Sequence, residues 1–302
     1  RMDMTVKQGR RWSTANAYLK PALRRHNLAL KQHALVQRVC FQGKRAVGIE
    51  YTINDKLFFV KALREVILSA GPFNTPKILM LSGVGKTEHI KKFGLEVLHN
   101  LPGVGTNLHD HLEIWMQSSC LQPITLNGHT GKFNKVLIAL RWLFFRNGLG
   151  ATNHFEASGY IKSQSNLRAP DIQYHFLPGA ISYKGGNATQ GHGFQIHLGP
   201  NKPLSRGYVK LRSANPKTPP HIFFNYLHRQ EDRKAFRDGI HLTRKILSQA
   251  ALSDYHDKEI SPGRCVATDT DIDNWVANNA ETAYHPCGSC RMGKDEEAVV
   301  DS

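Results

Sequence analysis

Acidic residues are scarce in this sequence, cysteines are few, and no long hydrophobic run is present. Twenty-four Asp+Glu stand against 40 Lys+Arg, a formal net charge of +16 at pH 7 over 302 residues. An excess of that sign raises the question of a nucleic-acid partner. The basic residues are spread along the whole chain, without a dense stripe or a known binding motif, and this argues against one. The cysteines, at positions 40, 120, 265, 287 and 290, are odd in number and widely spaced. That excludes a disulfide scaffold and makes a reducing compartment the default. The longest apolar stretch, Val136 to Phe145, is broken by Arg141 and falls far short of the ~20 residues that a membrane-spanning helix needs. Internal repeats and low-complexity tracts are missing too. What remains, 40% hydrophobic and 21% charged residues, is the usage of a folded globular protein with chain enough for one or two domains.

The sequence begins at Arg1 and stops just after the apolar Ala298, Val299 and Val300. Nothing near its start resembles a targeting segment. Both ends read as cuts, so the chain is expected to be an internal piece of a longer protein.

The apolar pattern changes along the chain. A basic start leads into an expected helix from Ser13 to Arg24, and Leu28 to Tyr51 reads as short strands around a turn at Gly43. Val66-Ile67-Leu68 is a compact run that suits a strand buried on both faces. Asn74 or Thr75 is positioned to cap a following helix with Pro76 at its first position. A second short helix is expected from Glu88 to Phe93. After Glu113 the character shifts. Gly131 to Arg146 predicts one amphipathic helix, with Phe133, Val136, Leu137, Leu140 and Phe144 on one side. Period-two alternation at 172–176, 194–198 and 208–211 predicts an antiparallel sheet covered on one face. Helices are expected at Glu231–Gln249 and Asp271–Asn279, the latter with Thr270 and Asp273 as its capping box. His154 to Ser163 reads as a strand. The fold class is therefore α/β in its first part and α+β overall.

Three segments carry possible chemistry. Gly71-Pro-Phe-Asn-Thr-Pro-Lys-Ile-Leu-Met-Leu-Ser-Gly-Val-Gly85 reads as a strand exit, a helix start and a glycine turn, and helix starts attract phosphate or carboxylate groups. Leu101-Pro-Gly-Val-Gly-Thr-Asn-Leu-His-Asp-His111 has glycines for tight turns. Its His109, Asp110 and His111 imitate a metal cluster, but neighbours on an extended chain point apart. Tyr284-His-Pro-Cys-Gly-Ser-Cys-Arg-Met-Gly293 holds a histidine in a rigid loop, suited to a general base. Its two cysteines leave a redox pair or half a zinc site open. His154-Phe-Glu156 with Pro286-Cys-Gly-Ser-Cys290 also fits the pattern of zinc deaminases, but the two parts lie far apart in the chain and the first reads as a strand.

Taken together, these segments resemble the glucose–methanol–choline (GMC) oxidoreductase family. Residues 71–85 are similar to its second signature, Gly103-Val-Gly-Thr-Asn-Leu-His-Asp-His111 to its Gly-Val-Gly-x-Asn-Leu-x-Asp-His block, and 284–293 to its His-Pro block, with Ser289 in place of the usual Thr. Asp110-His-Leu-Glu-Ile114, Gln122-Pro-Ile-Thr-Leu126, Pro170–Pro178, Leu211–Pro216 and Ala283–Pro286 resemble the choline-oxidising members. The resemblance implies an incomplete FAD-binding, doubly wound domain in 1–113, an antiparallel-sheet substrate domain in 114–280, and a return to the FAD domain and active-site loop in 281–302. It implies FAD as cofactor and choline as substrate, with His285 as the catalytic base. Val36 is the implied backbone contact to the adenine, and Asn107, Asp110 and His111 line the cofactor site. His154 and Glu156 are the implied substrate residues, and strand alternation would put both on one side. A respiratory-chain electron acceptor, peripheral membrane association and a mitochondrial location follow from the same resemblance. No metal is expected. The family's Gly-x-Gly-x-x-Gly loop does not occur in this sequence, and the segment carrying its second catalytic Asn or His is not found either.

Overall fold

The structure is a computed structural model describing residues 3–155, 157–182 and 189–302. The chain forms two compact units. One comprises Arg1–Ala29, His111–Lys202 and Gln230–Ala283; the other comprises Leu30–Asp110, Pro203–Arg229 and Tyr284–Ser302.

The unit built from Leu30–Asp110, Pro203–Arg229 and Tyr284–Ser302 opens on an antiparallel meander of Leu35–Gln42, Arg45–Ile53 and Lys56–Lys61. The turn at Gly43 is as expected. The third strand escaped the sequence reading, yet its signal is local. Asn54 and Asp55 both take positive φ, +48° and +63°, and two left-handed residues make the tight turn that matches strand twist. Val66–Leu68 is a correction. These residues form no strand, and Ile67 is 76% exposed. A buried strand needs hydrogen-bonded neighbours, and among the described residues no strand pairs with 66–68. Among the described residues, parallel pairing is confined to Val84–Gly85 with His99–Asn100 and to a bridge between Met292 and Val300.

The next helix spans Gly71–Leu81, one turn longer at its start than expected. Thr75 does not cap a helix beginning beside it. Its hydroxyl reaches back to accept the Ala70 N–H at 3.1 Å, and Pro72 rather than Pro76 occupies the first turn. Met80 and Leu81 from this helix pack with Val84, Val104 and Leu211 into the unit's core. Tyr208–Lys210 also corrects an expectation: it pairs with His221–Phe223 in this unit instead of extending the large sheet.

The other unit is built on that sheet. Its order is His256–Ser261, Leu112–Cys120, Gly193–Pro200, Ile172–Leu177, Ala157–Ile161, antiparallel throughout. Alternation sorts the faces. Leu112, Ile114, Met116, Ile196, Leu198, Ile172 and Tyr174 are buried beneath the helix Gln230–Leu247. That helix buries Phe236, Gly239, Ile240, Thr243 and Leu247, a helical stripe. The Tyr174 hydroxyl donates to the Gly239 carbonyl at 3.1 Å and locks helix to sheet. The opposite face carries Glu113, Trp115, Gln117, Gln195, His197, Gln173 and His175.

Three further expectations are corrected in this unit. The helix Asp269–Asn279 is capped by Thr268 with Asp271, not by Thr270 with Asp273. The same Thr-x-x-Asp spacing begins two residues earlier, and Asp273 instead holds Arg237 at 2.9 Å. The strand expected from His154 begins at Ala157. His154 has φ +69°, a left-handed conformation that breaks the alternation. Glu156 lies outside the described residues. Near the start, the single helix expected from Ser13 is a π turn at Ala15–Leu19 running into Lys20–Ala22.

Candidate active site

The three motif segments, far apart in the chain, converge in the unit that contains His285. His109 and Cys287 exchange backbone hydrogen bonds at 3.0 and 2.9 Å, an antiparallel bridge that lays one segment along the other. The Gly105 N–H donates to the Ser289 carbonyl at 2.8 Å. Gly288, at φ +91°, sits so close to its neighbour that a Cβ there would lie 2.3 Å from the Asn107 carbonyl oxygen. A side chain would wedge the two segments apart.

The first motif joins through a proline effect. Pro76 has no N–H, so the Pro72 carbonyl one turn earlier lacks its usual helical partner. The buried Ser289 hydroxyl donates to that carbonyl at 2.5 Å. The serine that replaces the family's threonine thus keeps the hydroxyl the helix requires.

Asp110 is the centre of the arrangement. It is 3% exposed. One carboxylate oxygen accepts the His285 backbone N–H at 2.9 Å, and the other accepts the Tyr226 hydroxyl at 2.6 Å. Charge-assisted bonds of this kind are the strong ones. They hold a loop under strain, since Tyr284 takes φ +63° immediately before His285. His285 itself is exposed. Asn107 is spent on the loop as well: its amide donates to the Gly288 carbonyl at 3.4 Å, and its oxygen accepts from the Arg206 guanidinium at 2.9 Å. His111 belongs to the other unit, where its Nδ1 lies 3.2 Å from the Pro200 carbonyl oxygen.

Cys287 meets a histidine that the sequence reading had placed in an imitation metal cluster. The His109 Nδ1–H donates to the Asn107 carbonyl at 2.9 Å, leaving Nε2 as an acceptor for the Cys287 thiol at 3.3 Å. Burial pushes the Cys287 thiol up, with the Asp110 charge adding to it. Burial alone lifts Cys290 to about 11. Both are protonated thiols at neutral pH.

The sheet unit offers a second chemical surface, which sequence reasoning missed. On its polar face the Glu113 carboxylate accepts from the Trp115 indole and from His197 Nδ1, each at 3.0 Å. Gln195 fixes that tautomer. Its oxygen accepts from Gln117 and from the Ile181 N–H at 3.0 Å, so its NH₂ donates to His197 Nε2 at 2.7 Å. Burial acts to raise the Glu113 carboxyl, but the hydrogen bonds from His197 and Trp115 hold it below the usual carboxylate range. The Phe155 ring stands edge-on to His197 and His175, with centroids 5.1 and 6.2 Å away. The alternating Glu113-x-Trp115-x-Gln117 was the available signal.

Both halves of the GMC oxidoreductase family profile match this chain, the N-terminal part over residues 1–113 and the C-terminal part over 203–302. The chain belongs to the GMC oxidoreductases. It is 50% identical to an oxygen-dependent choline dehydrogenase of Brucella anthropi over 303 residues, and 51% identical to one of Vibrio vulnificus over 302. The alignments take in 100% and 99% of this chain but 55% and 54% of those proteins, so the chain spans about half the length of the curated relatives it matches. Among solved structures, a pyridoxine 4-oxidase from Mesorbium loti is similar at TM-score 0.82 and 27% identity, covering 98% of this chain and 54% of that one. A formate oxidase from Aspergillus oryzae shares the fold at TM-score 0.89 and 22% identity, covering 98% and 56%.

FAD is the cofactor of this family, and the residues present fit part of such a site. Leu35–Gln42 is an edge strand, so the Val36 backbone has one side turned away from its partner Tyr51. The helix starting at Gly71 leaves first-turn N–H groups without intrahelical partners. A Cβ built on Gly71 would meet nothing within 4 Å, so its surroundings are open to a ligand. The mitochondrial expectation is withdrawn: the curated relatives come from Brucella, Vibrio and Photobacterium, bacteria without that organelle.

Proposed function

We propose that the protein oxidises choline to betaine aldehyde, with His285 as the base. The observation that carries this reading is the Asp110 clamp on the His285 backbone, set where the three motif segments interlock. About 50% identity to proteins named choline dehydrogenases supports the choice of alcohol.

FAD, when bound, supplies the acceptor for the hydride that leaves the alcohol carbon. The neutral His285 imidazole takes the hydroxyl proton as the carbon is oxidised. Asp110 is a positioning residue whose carboxylate acts on the His285 main chain. Asn107 shapes the same loop through Gly288 and Arg206. Val36 offers its backbone to the adenine, and the amides at the start of Gly71–Leu81 suit an anionic part of the cofactor. Glu156 is the anion assigned to the trimethylammonium group and His154 a second substrate residue, while the Phe155 ring packs against His175 and His197. His111 holds the Pro200 carbonyl at the border of the sheet. Electrons then pass to a respiratory-chain acceptor at a membrane to which the protein binds peripherally.

The test is choline-dependent reduction of an artificial dye by the full-length flavoprotein, run beside neutral alcohols, dioxygen and a soluble quinone. Choline turnover with quinone preferred to dioxygen supports the whole reading. Turnover of another alcohol alone removes choline. A preference for dioxygen removes the respiratory acceptor; the relatives' names call those proteins oxygen-dependent.

A further inference from the structure

The helix Lys132–Phe145 turns its apolar side outward. Asn134, Ile138, Trp142 and Arg146 recur every four residues and are half-buried. Trp142 ties that side down. Its indole N–H donates to the Gly9 carbonyl at 2.6 Å, and a Cβ on Gly150 would come within 2.9 Å of the Trp142 side chain. The Arg146 guanidinium lies 4.0 Å from the Trp142 ring centre, and its left-handed backbone ends the helix. The tethered side fixes which way the other side faces. There Phe133, Val136, Leu137, Leu140 and Phe144 stand 74, 55, 48, 44 and 71% exposed. Leu143 borders them, and no residue of the helix is buried.

A contiguous apolar stripe of this size marks an interaction surface, and the charge pattern says with what. Between Glu113 and Glu156 the sequence has no acidic residue, while the helix and its end carry Lys132, Lys135, Arg141 and Arg146. Helical geometry sets Lys132 on one flank of the stripe and Arg141 on the other. Long cationic side chains beside an apolar stripe put their charges at head-group level while the stripe enters the acyl boundary. Among the described residues no helix is long and apolar enough to cross a membrane.

We propose that this helix lies flat on an anionic lipid surface, with Phe133, Leu137, Leu140 and Phe144 in the acyl boundary and Lys132 and Arg141 at the head groups. The proposal deepens the peripheral-membrane part of the reading above and rests on it. Full-length holoenzyme is mixed with vesicles of phosphatidylcholine alone, or with about a third phosphatidylglycerol, and sedimented. It is expected to follow the anionic vesicles, less at high salt and much less with phosphatidylcholine alone. Leu140→Asp with Phe144→Asp should lower partitioning by ~10-fold or more. A Phe144→Trp reporter should be quenched by brominated acyl chains. Vesicle binding that survives the aspartates, or a Trp that stays unquenched on bound protein, overturns the docking site while leaving membrane association intact. Absence of binding to any vesicle overturns both. Should the aspartate variant fail to fold, the reporter decides: an unquenched Trp there means that other polypeptide covers the stripe, and the proposal fails.

Discussion

Asp110 accepts the backbone N–H of His285 at 2.9 Å across 175 residues of sequence. The bond is made to the main chain of His285. A carboxylate clamp on a strained loop makes a test that a purely structural residue would not pass. Asp110→Asn removes the charge from both of its hydrogen bonds, each worth ~1.5–3 kcal/mol when a charged partner is involved. Choline turnover should fall with little change in KM, and the melting temperature should drop. Tyr226→Phe deletes one neutral donor, worth ~1 kcal/mol, and should do less. Unchanged turnover in Asp110→Asn would show that His285 holds its place without the clamp.

Gly288 is predicted to be irreplaceable. Alanine there combines φ +91° with a Cβ 2.3 Å from the Asn107 oxygen. Strain of ~1–3 kcal/mol is expected even before the segments separate. Thermal unfolding should shift down by at least a few degrees, with turnover falling alongside. A Gly288→Ala protein that melts and works like the parent would contradict the interlocked-loop geometry.

Much of this arrangement was legible in the residues, because the motifs are local and their glycines and prolines mark backbone needs. The convergence itself was not. The Pro72 carbonyl freed by Pro76 could be anticipated from sequence, but Ser289 as its donor could not, because tertiary folding brings the two together. The Val66–Leu68 run misled for a related reason: apolar composition reports a wish for burial, while strand formation depends on partners elsewhere. Thr268 and Thr270 offer the same spacing to an acid three residues on, and the helix uses the first. The Glu113–His197 network was hidden because its members come from separate strands and meet only through register.

The two loop cysteines should differ in reactivity. Burial raises the Cys290 thiol to about 11, so its thiolate is scarce below that pH and appears as pH climbs through it. Alkylation of Cys290 is expected to stay slow near neutrality and to accelerate toward pH 11, while the exposed Cys287 reacts first. Changing both to serine should leave choline turnover within a few-fold. Stoichiometric zinc in the purified protein, or loss of activity in the double variant, would revive a metal or redox role for the pair.

His285→Ala should lower choline turnover ~10²–10⁴-fold, the usual range for loss of a general base. FAD content, read from flavin absorbance, should stay near the parent's, since the role proposed for the imidazole is on the substrate hydroxyl. Activity within a few-fold of the parent would make His285 structural.

The proposed substrate carries a charge that does not titrate. Choline has no N–H to donate, so a site can hold it only through a nearby anion, through aromatic faces, or both. Glu156 follows directly on Phe155, whose ring is set against His197 and His175, and its carboxylate is the anion proposed for that task. Glu156→Gln keeps the shape of the side chain and deletes the charge. The KM for choline should rise steeply. The KM for 3,3-dimethylbutan-1-ol, which has the same outline and no charge, should change far less, because nothing in that alcohol attracts a carboxylate. Glutamine that weakened both alcohols equally would remove Glu156 from cation recognition. The enzyme would then be a sister alcohol oxidoreductase of the same family, with its His285 chemistry untouched.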